Sequence, residues 1–224
     1  VRLGLASAIR VLWSGPTPMN PCLWNRTLRL WLLGLFALGS IATAEAARAA
    51  KGPPRPDAIV AADGTGRYKT IREAIDASPQ ISSDTGRRWT ILVKPGIYRE
   101  LVYVQREKRF TSLIGEDAEK TILTFDLYAS LPGPDDKQIG TFRTPTLVVD
   151  ADDFTVENMT IENSAGARGQ ALALRVDGDR VVFRGCRFLG WQDTIFVNRG
   201  RHYFEDCLIE GAVENLDSRE RLIA

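Results

Sequence analysis

From Ile59 onward the apolar residues come in short β-rich runs, each closed by Gly, Asp or Asn, as expected of strands bounded by tight turns. One stretch breaks that rhythm. In "YKTIREAIDAS" (68–78), Ile71, Ala74, Ile75 and Ser78 recur at helical spacing, and Thr70 with Glu73 fits a capping box. The spacing predicts a helix there, ended by Pro79. Three later runs align with one another: "FTVENMTIENS" (154–164), "VVFRGCRFLGW" (181–191) and "HYFEDCLIEGA" (202–212). In each, an apolar strand meets a polar or glycine bend and continues into a second apolar pair. Val156, Phe183 and Phe204 share one repeat position; Asn158, Gly185 and Asp206 share the bend; Met159, Cys186 and Cys207 share the next site. The first step of this repeat is somewhat longer than the second. Repeats of this scale built from strands are the signature of a solenoid, whose coils bury their apolar sides only by stacking. The expected fold is all-β: a parallel β-helix over 58–213, with the helix capping its starting end.

Upstream of this region the pattern changes. Arg26 and Arg29 precede the uncharged run "LWLLGLFALGSI" (30–41), and the small-residue stretch "ATAEAARAA" follows. A basic region, a short apolar core and an A-x-A site describe a secretory signal peptide over 1–46, too short for a membrane span. Met19 suits the start of such a leader, so residues 1–18 read as an over-extended beginning. "KGPPRPD" falls in an extended linker over 47–57, since Pro blocks helix and strand. The expected product is secreted or periplasmic, without a membrane anchor after cleavage.

Composition adds few constraints. Of 224 residues, 44% are hydrophobic and 25% charged, and net charge is +1. Removing 1–46 takes away four Arg and one Glu, which leaves the remainder close to neutral with a slight acidic excess. That balance gives no electrostatic basis for a nucleic-acid partner. The cysteines (Cys22, Cys186, Cys207) lack zinc spacing. Cys186 and Cys207 read as small apolar residues stacked in the interior, with free thiols. "DADD" (150–153) lacks a calcium-loop spacing and reads as a turn, so neither a metal nor another cofactor is expected. His202 is the sole histidine and G-x-S-x-G is absent, which argues against a serine hydrolase. Asn158, although in an N-M-T sequon, reads as a bend residue bonding between coils. The turn "DGTG" (63–66) is too short for a phosphate loop.

The chemistry gathers at "GWQDT" (190–194). Gln170, Gln192 and Glu214 are evenly spaced along the chain, and Asp193 adjoins Gln192. With coils as long as that spacing, two acids and two amides converge on one wall. Such a set suits ester hydrolysis without serine. One carboxylate attacks the carbonyl carbon, the other protonates the leaving alcohol, and the amides stabilise the oxyanion by about 3–4 kcal/mol per donor. Spacing alone is equally compatible with surface glutamines and a turn aspartate.

Resemblance separates the two readings. "GTFRTPTLVVDADDFTVENMTIENSAG", "GQALAL" and "GWQDTIFVNRGRHYFEDCLIEGAV", with "IVAADGTGRYKTIREAIDASP" and "ILVKPGIYRE" nearer the start, closely resemble the pectinesterases, which are right-handed parallel β-helices. The resemblance runs from about Asp57 to Val213. It implies oxyanion donors at Gln170 and Gln192, the general acid/base at Asp193, and substrate contacts at Trp191 and Thr144. Trp191 stands where the family usually has Tyr or Phe; packing over the coil edge is an equally good reading of it. The implied substrate is methyl-esterified homogalacturonan, a polysaccharide, and the implied state is a monomer without cofactor.

The resemblance stops at Val213. The family's nucleophilic aspartate is replaced by Glu214, one methylene longer, and a displacement near 1 Å costs on the order of a hundredfold in rate. Its nucleophile-orienting arginine has no counterpart, and "DSRERLIA" (217–224) lacks strand alternation. The expectation is a divergent tail over 214–224, produced by truncation or a shifted reading frame near Val213, and low or no activity. Three rivals remain: a calcium-dependent lyase, a thioesterase-like relative, and a carbohydrate-binding β-helix without catalysis.

Overall fold

The computed structural model describes residues 55–134 and 136–211, and the backbone of 216–218. The signal segment, most of the linker and Glu214 lie outside the described residues. The chain opens with β1 (Ala58–Val60) and a helix, α1 (Ile71–Asp76). Rungs of three strands follow: β2 (Trp89–Val93), β3 (Gly96–Arg99) and β4 (Val102–Val104); then β5 (Thr111–Gly115), β6 (Thr121–Phe125) and β7 (Leu147–Val149). Next come β8 (Thr155–Glu157), β9 (Thr160–Asn163) and β10 (Leu174–Val176), then β11 (Val181–Arg184), β12 (Arg187–Leu189) and β13 (Ile195–Val197). The last described rung is β14 (His202–Glu205), β15 (Leu208–Glu210) and β16 (Leu216–Ser218).

Strands stack into three parallel sheets, β1-β2-β5-β8-β11-β14, β3-β6-β9-β12-β15 and β4-β7-β10-β13-β16. This is the expected right-handed parallel β-helix. The sequence repeat holds in the ladder: Phe183 pairs with Val156 on the preceding rung and with Phe204 on the following one. The shared bend has one backbone conformation, with φ of 51° at Asn158, 57° at Gly185 and 52° at Asp206. Asn, Gly and Asp tolerate this left-handed region best, which explains the repeat's choice of residues. The Asn158 backbone N–H donates to Arg184 O at 2.9 Å across the rungs. A Cβ on Gly185 would fall 2.6 Å from Asn158 Oδ1, so a side chain there would have to displace the Asn158 amide.

The core is a set of columns one residue wide. Phe183 stacks on Phe204 with centroids 4.8 Å apart and meets Phe188 edge-on at 5.4 Å. Burying one such ring contributes roughly 1.5–3 kcal/mol. Met159 and Cys186 are fully buried in the next column and Cys207 is half-buried; both thiols are free. The hydrogen bond to Cys207, with burial behind it, pushes the Cys186 thiol well up, and the same contact lowers that of Cys207.

The helix is shorter than the predicted 68–78. Tyr68 forms a parallel bridge with Val60 and so belongs to the sheet's start. Thr70 caps the helix, accepting from the Glu73 N–H at 3.2 Å, and Glu73 Oε2 accepts from the Lys69 N–H at 3.3 Å. Ile71, Ala74 and Ile75 face the core. A longer departure occurs between β6 and β7, where residues 126–146 leave the coil and return. It enlarges that coil, so that Val102 of β4 pairs with Leu147 of β7 across the whole excursion.

Candidate active site

The polar interruption at 190–194 lies at the entry to β13. The Gly190 N–H donates to Glu210 O at 3.1 Å, and a Cβ on Gly190 would fall 2.7 Å from Thr194 Oγ1. Glycine therefore lets the chain turn tightly against buried Thr194. Asp193 takes a φ of 58°, a left-handed conformation that aspartate accepts at modest cost. Apolar Ile195–Val197 then enters the ladder, while Gln192 and Asp193 remain half-buried at its rim. Trp191 is 45% exposed beside them.

Gln170 and Gln192 stand on adjacent rungs. The Ala171 N–H donates to Gln192 O at 3.1 Å, which matches Gln170 with Gln192. Two further N–H groups, of Ala173 and Leu174, share Thr194 O at 2.9 and 3.2 Å. That shared carbonyl absorbs a single position, and the strands proceed with Leu174 against Ile195. Leu189 against Glu210 and Ile195 against Leu216 carry the same shortened step into the next rung.

The excursion over 126–146 folds against this rim. The Ala129 N–H donates to Gln170 O at 2.8 Å, and a 3-10 turn, Thr141–Arg143, brings the Thr141 hydroxyl within 2.7 Å of Gln170 Oε1. With that oxygen accepting, the Gln170 NH2 group is left to donate outward. Sequence reading missed Thr141; a threonine in a long loop carries no signal of its own. Thr144, expected at the substrate, is instead fully buried. Its hydroxyl donates to Thr141 O at 2.7 Å and accepts from the Leu172 N–H at 2.9 Å, so it braces the turn. Buried Asn163 ties the same segments together: its Nδ2 reaches Leu127 O, Thr144 O and Leu172 O at 3.0–3.2 Å.

Along the same sheet, outward residues Tyr103, Val148, Arg175 and Phe196 form a row across four rungs. Phe142, 51% exposed, packs edge-on to Phe196 with centroids 5.0 Å apart, and the Arg175 guanidinium lies 5.6 Å from its ring centre. Two shallow hollows of about 320 and 520 Å³ flank this row and share Tyr103, Phe142 and Val148. His202 is buried, its Nε2 3.0 Å from Gly178 O, away from any base role. Asp150 and Asp153 of the "DADD" turn are engaged by arginines, and no metal-ligating cluster of three occurs among the described residues. No helix among those residues is long and apolar enough to cross a membrane.

The family model of the pectinesterases matches residues 57–217. This chain belongs to the pectinesterase family. Pectinesterase 31 of Arabidopsis thaliana is 42% identical over 160 residues, covering 69% of this chain and 50% of that protein. Among solved structures, a pectin methylesterase from carrot matches with a TM-score of 0.57 at 33% identity, over 69% of this chain and 48% of its own. A pectin methylesterase in complex with a hexasaccharide gives 0.61 at 29% identity, over 69% and 49%. The chain thus spans about half the length of these pectinesterases.

Proposed function

We propose that this chain is built to hydrolyse the methyl esters of homogalacturonan, releasing methanol and leaving galacturonate carboxylates, with low activity because Glu214 stands where the family has the shorter aspartate. The observation that carries the reading is the pairing of Gln170 and Gln192 on adjacent rungs with Asp193 at the same rim. The complex of a related pectin methylesterase with a hexasaccharide supports a polysaccharide substrate.

In the proposed mechanism, the Glu214 carboxylate attacks the ester carbonyl carbon. The ladder pairs Leu189 with Glu210 and Ile195 with Leu216, a sequence step equal to the one from Asp193 to Glu214, which supports reading the two acids as one pair. Negative charge collects on the carbonyl oxygen, where the Gln170 and Gln192 NH2 groups donate hydrogen bonds. The C–O bond to the methoxy group breaks, Asp193 gives that oxygen its proton, and methanol departs. Water then attacks the acyl-enzyme anhydride as Asp193 takes its proton back, freeing the galacturonate and the Glu214 carboxylate. Thr141 holds the Gln170 amide with its NH2 outward, and Trp191 offers an apolar face to a sugar ring. The leader-like residues 1–46 support export, so the substrate is met outside the cytoplasm.

The test is titration of methyl-esterified homogalacturonan with the full chain, following methanol and released acid together. One acid per methanol is expected. An unsaturated sugar end without methanol would support the lyase reading instead, and binding without methanol a carbohydrate-binding module.

A further inference from the structure

The thiols of Cys186 and Cys207 take no part in the ester chemistry, and the ladder makes each the other's neighbour. Before them, Arg184 of β11 pairs with Glu205 of β14; after them, Arg187 of β12 pairs with Leu208 of β15. Cys186 is therefore set against Cys207 on the next rung, where the Leu208 N–H donates to Cys186 O at 2.9 Å. The two side chains point the same way. Cys186 Sγ lies 3.4 Å from Arg184 O and 3.5 Å from Val156 O. Cys207 Sγ lies 3.3 Å from Glu205 O and 3.6 Å from Phe183 O, the same repeat positions one rung on. The two sulfurs are in hydrogen-bonding contact. The preceding member of the column is fully buried Met159, whose thioether forms no disulfide.

Rung spacing suits a covalent bond. Adjacent strands lie about 4.8 Å apart, inside the range of about 4.4–6.8 Å that a disulfide spans between Cα atoms. Side chains stacked at that spacing stand a little beyond the usual Cβ separation of about 3.5–4.5 Å. Closure therefore draws the two bends together by a fraction of an ångström. Those bends are Gly185 and Asp206, with φ of 57° and 52°, and glycine is the residue that yields most easily there. The contact between the thiols also sets their roles. It lowers the Cys207 thiol and raises that of Cys186, so Cys207 carries the attacking thiolate.

We propose that Cys186 and Cys207 are a site of oxidation to a disulfide that joins the β11–β12 bend to the β14–β15 bend. The oxidant is itself a disulfide, of the class of glutathione disulfide. The Cys207 thiolate attacks one of its sulfurs, its S–S bond breaks, and one thiolate leaves. Cys186 gives its proton to that thiolate, attacks Cys207 Sγ and displaces the second. Two protein thiols are oxidised and one oxidant disulfide is reduced to two thiols. The leader-like residues 1–46 support delivery to an oxidising compartment, where such bonds persist. The bond closes residues 187–206, one whole coil, into a ring. That coil carries Gln192 and Asp193 at its rim, so the bond holds their turn in place whichever chemistry the rim performs.

The test equilibrates the full-length chain with glutathione disulfide, both under native conditions and during refolding from urea. Remaining thiols are blocked with iodoacetamide, and the chain is cut with trypsin without reduction. The peptides holding Cys186 and Cys207 should appear as one linked species, lighter by two hydrogens than the pair and separated by reduction. The thermal midpoint of the oxidised chain should exceed that of the reduced chain by about 5–10 °C. Cys186→Ala and Cys207→Ala should each abolish that difference; if either fails to fold, the linked peptide of the wild type still decides. Blocked Cys186 and Cys207 under both conditions, a bridge from either to Cys22, or a lasting glutathione adduct would each overturn the pairing. A linked peptide with an unshifted midpoint would overturn its hold on the coil.

Discussion

At the level of single residues, Thr141 is the informative one. A glutamine side chain presents an oxygen or an NH2 group to a given direction, and only the NH2 end stabilises an oxyanion. The 2.7 Å bond from Thr141 to Gln170 Oε1 decides between them. Thr141→Val should therefore lower kcat for methanol release by about 10–100-fold, toward the loss of a whole oxyanion donor, with KM little changed. Thr141→Ser should restore most of it; equal damage by both variants would leave Thr141 a packing residue only. The adjacent-rung placement of Gln170 and Gln192 was legible in the sequence because their spacing matched the coil length. Thr141 was not, because its contact depends on how residues 126–146 fold back. Thr144 misled for the same reason: the resemblance put it at the substrate, yet its hydroxyl is consumed inside the turn.

At the level of elements, α1 has only six residues, too few to be stable alone. Its ends are held from β3 and β4 and their flanks. Glu100 accepts from the Ile71 and Arg72 N–H groups at 2.8 and 3.1 Å. Lys108 Nζ donates to Asp76 O and Ser78 O at 2.8 and 2.7 Å. Burial pushes the Glu100 carboxyl up and the Lys108 ammonium down, so each group is desolvated to serve the helix. Glu100→Ala should destabilise the fold by about 1–2 kcal/mol, the range of a lost N-cap, as measured by urea unfolding. A change within about 0.3 kcal/mol, the reproducibility of additive surface sites, would mean that Thr70 suffices. The helix and its capping box could be read from spacing. Its boundaries could not, since Tyr68 is claimed by the sheet and both clamps lie a whole rung downstream in sequence.

At the level of the whole molecule, the solenoid's corners carry ion pairs that link rungs. Asp153 receives Arg109 at 2.9 Å and Arg180 at 2.6 and 2.8 Å; Asp179 receives Arg201 and Arg180 at 2.6 and 2.7 Å. Hydrogen bonds from Arg180 hold the Asp153 carboxyl below the usual range, and those from Arg201 do the same for Asp179. Because both folded-state values lie below the unfolded aspartate value of about 3.9, this stabilisation is complete above that pH. It is lost as pH falls through the depressed values. Thermal midpoints should hold from pH 7 to about 5 and drop below about 4. Asp153→Asn should lower the neutral-pH stability by about 2 kcal/mol and flatten the acid limb; an unaltered acid limb would remove Asp153 from the explanation. The stacking itself was legible because a solenoid repeats one solution, with Asn158, Gly185 and Asp206 marking the same left-handed bend. The cross-rung arginine chain was not, since Arg180, Arg109 and Arg201 reach their aspartates across sequence separations that share no common spacing.

The reading as a whole stands on Asp193 and Glu214 acting together beside two glutamines. Its most direct test is steady-state methanol release from methyl-esterified homogalacturonan by Glu214→Asp, which restores the shorter nucleophile, alone and combined with Asp193→Asn. Glu214→Asp should release methanol about a hundredfold faster than the wild type, as a reacting group returned by about 1 Å would. Adding Asp193→Asn should then cut that rate by about a thousandfold, the scale of a lost general acid. No gain from Glu214→Asp, or a rate indifferent to Asp193→Asn, would contradict it.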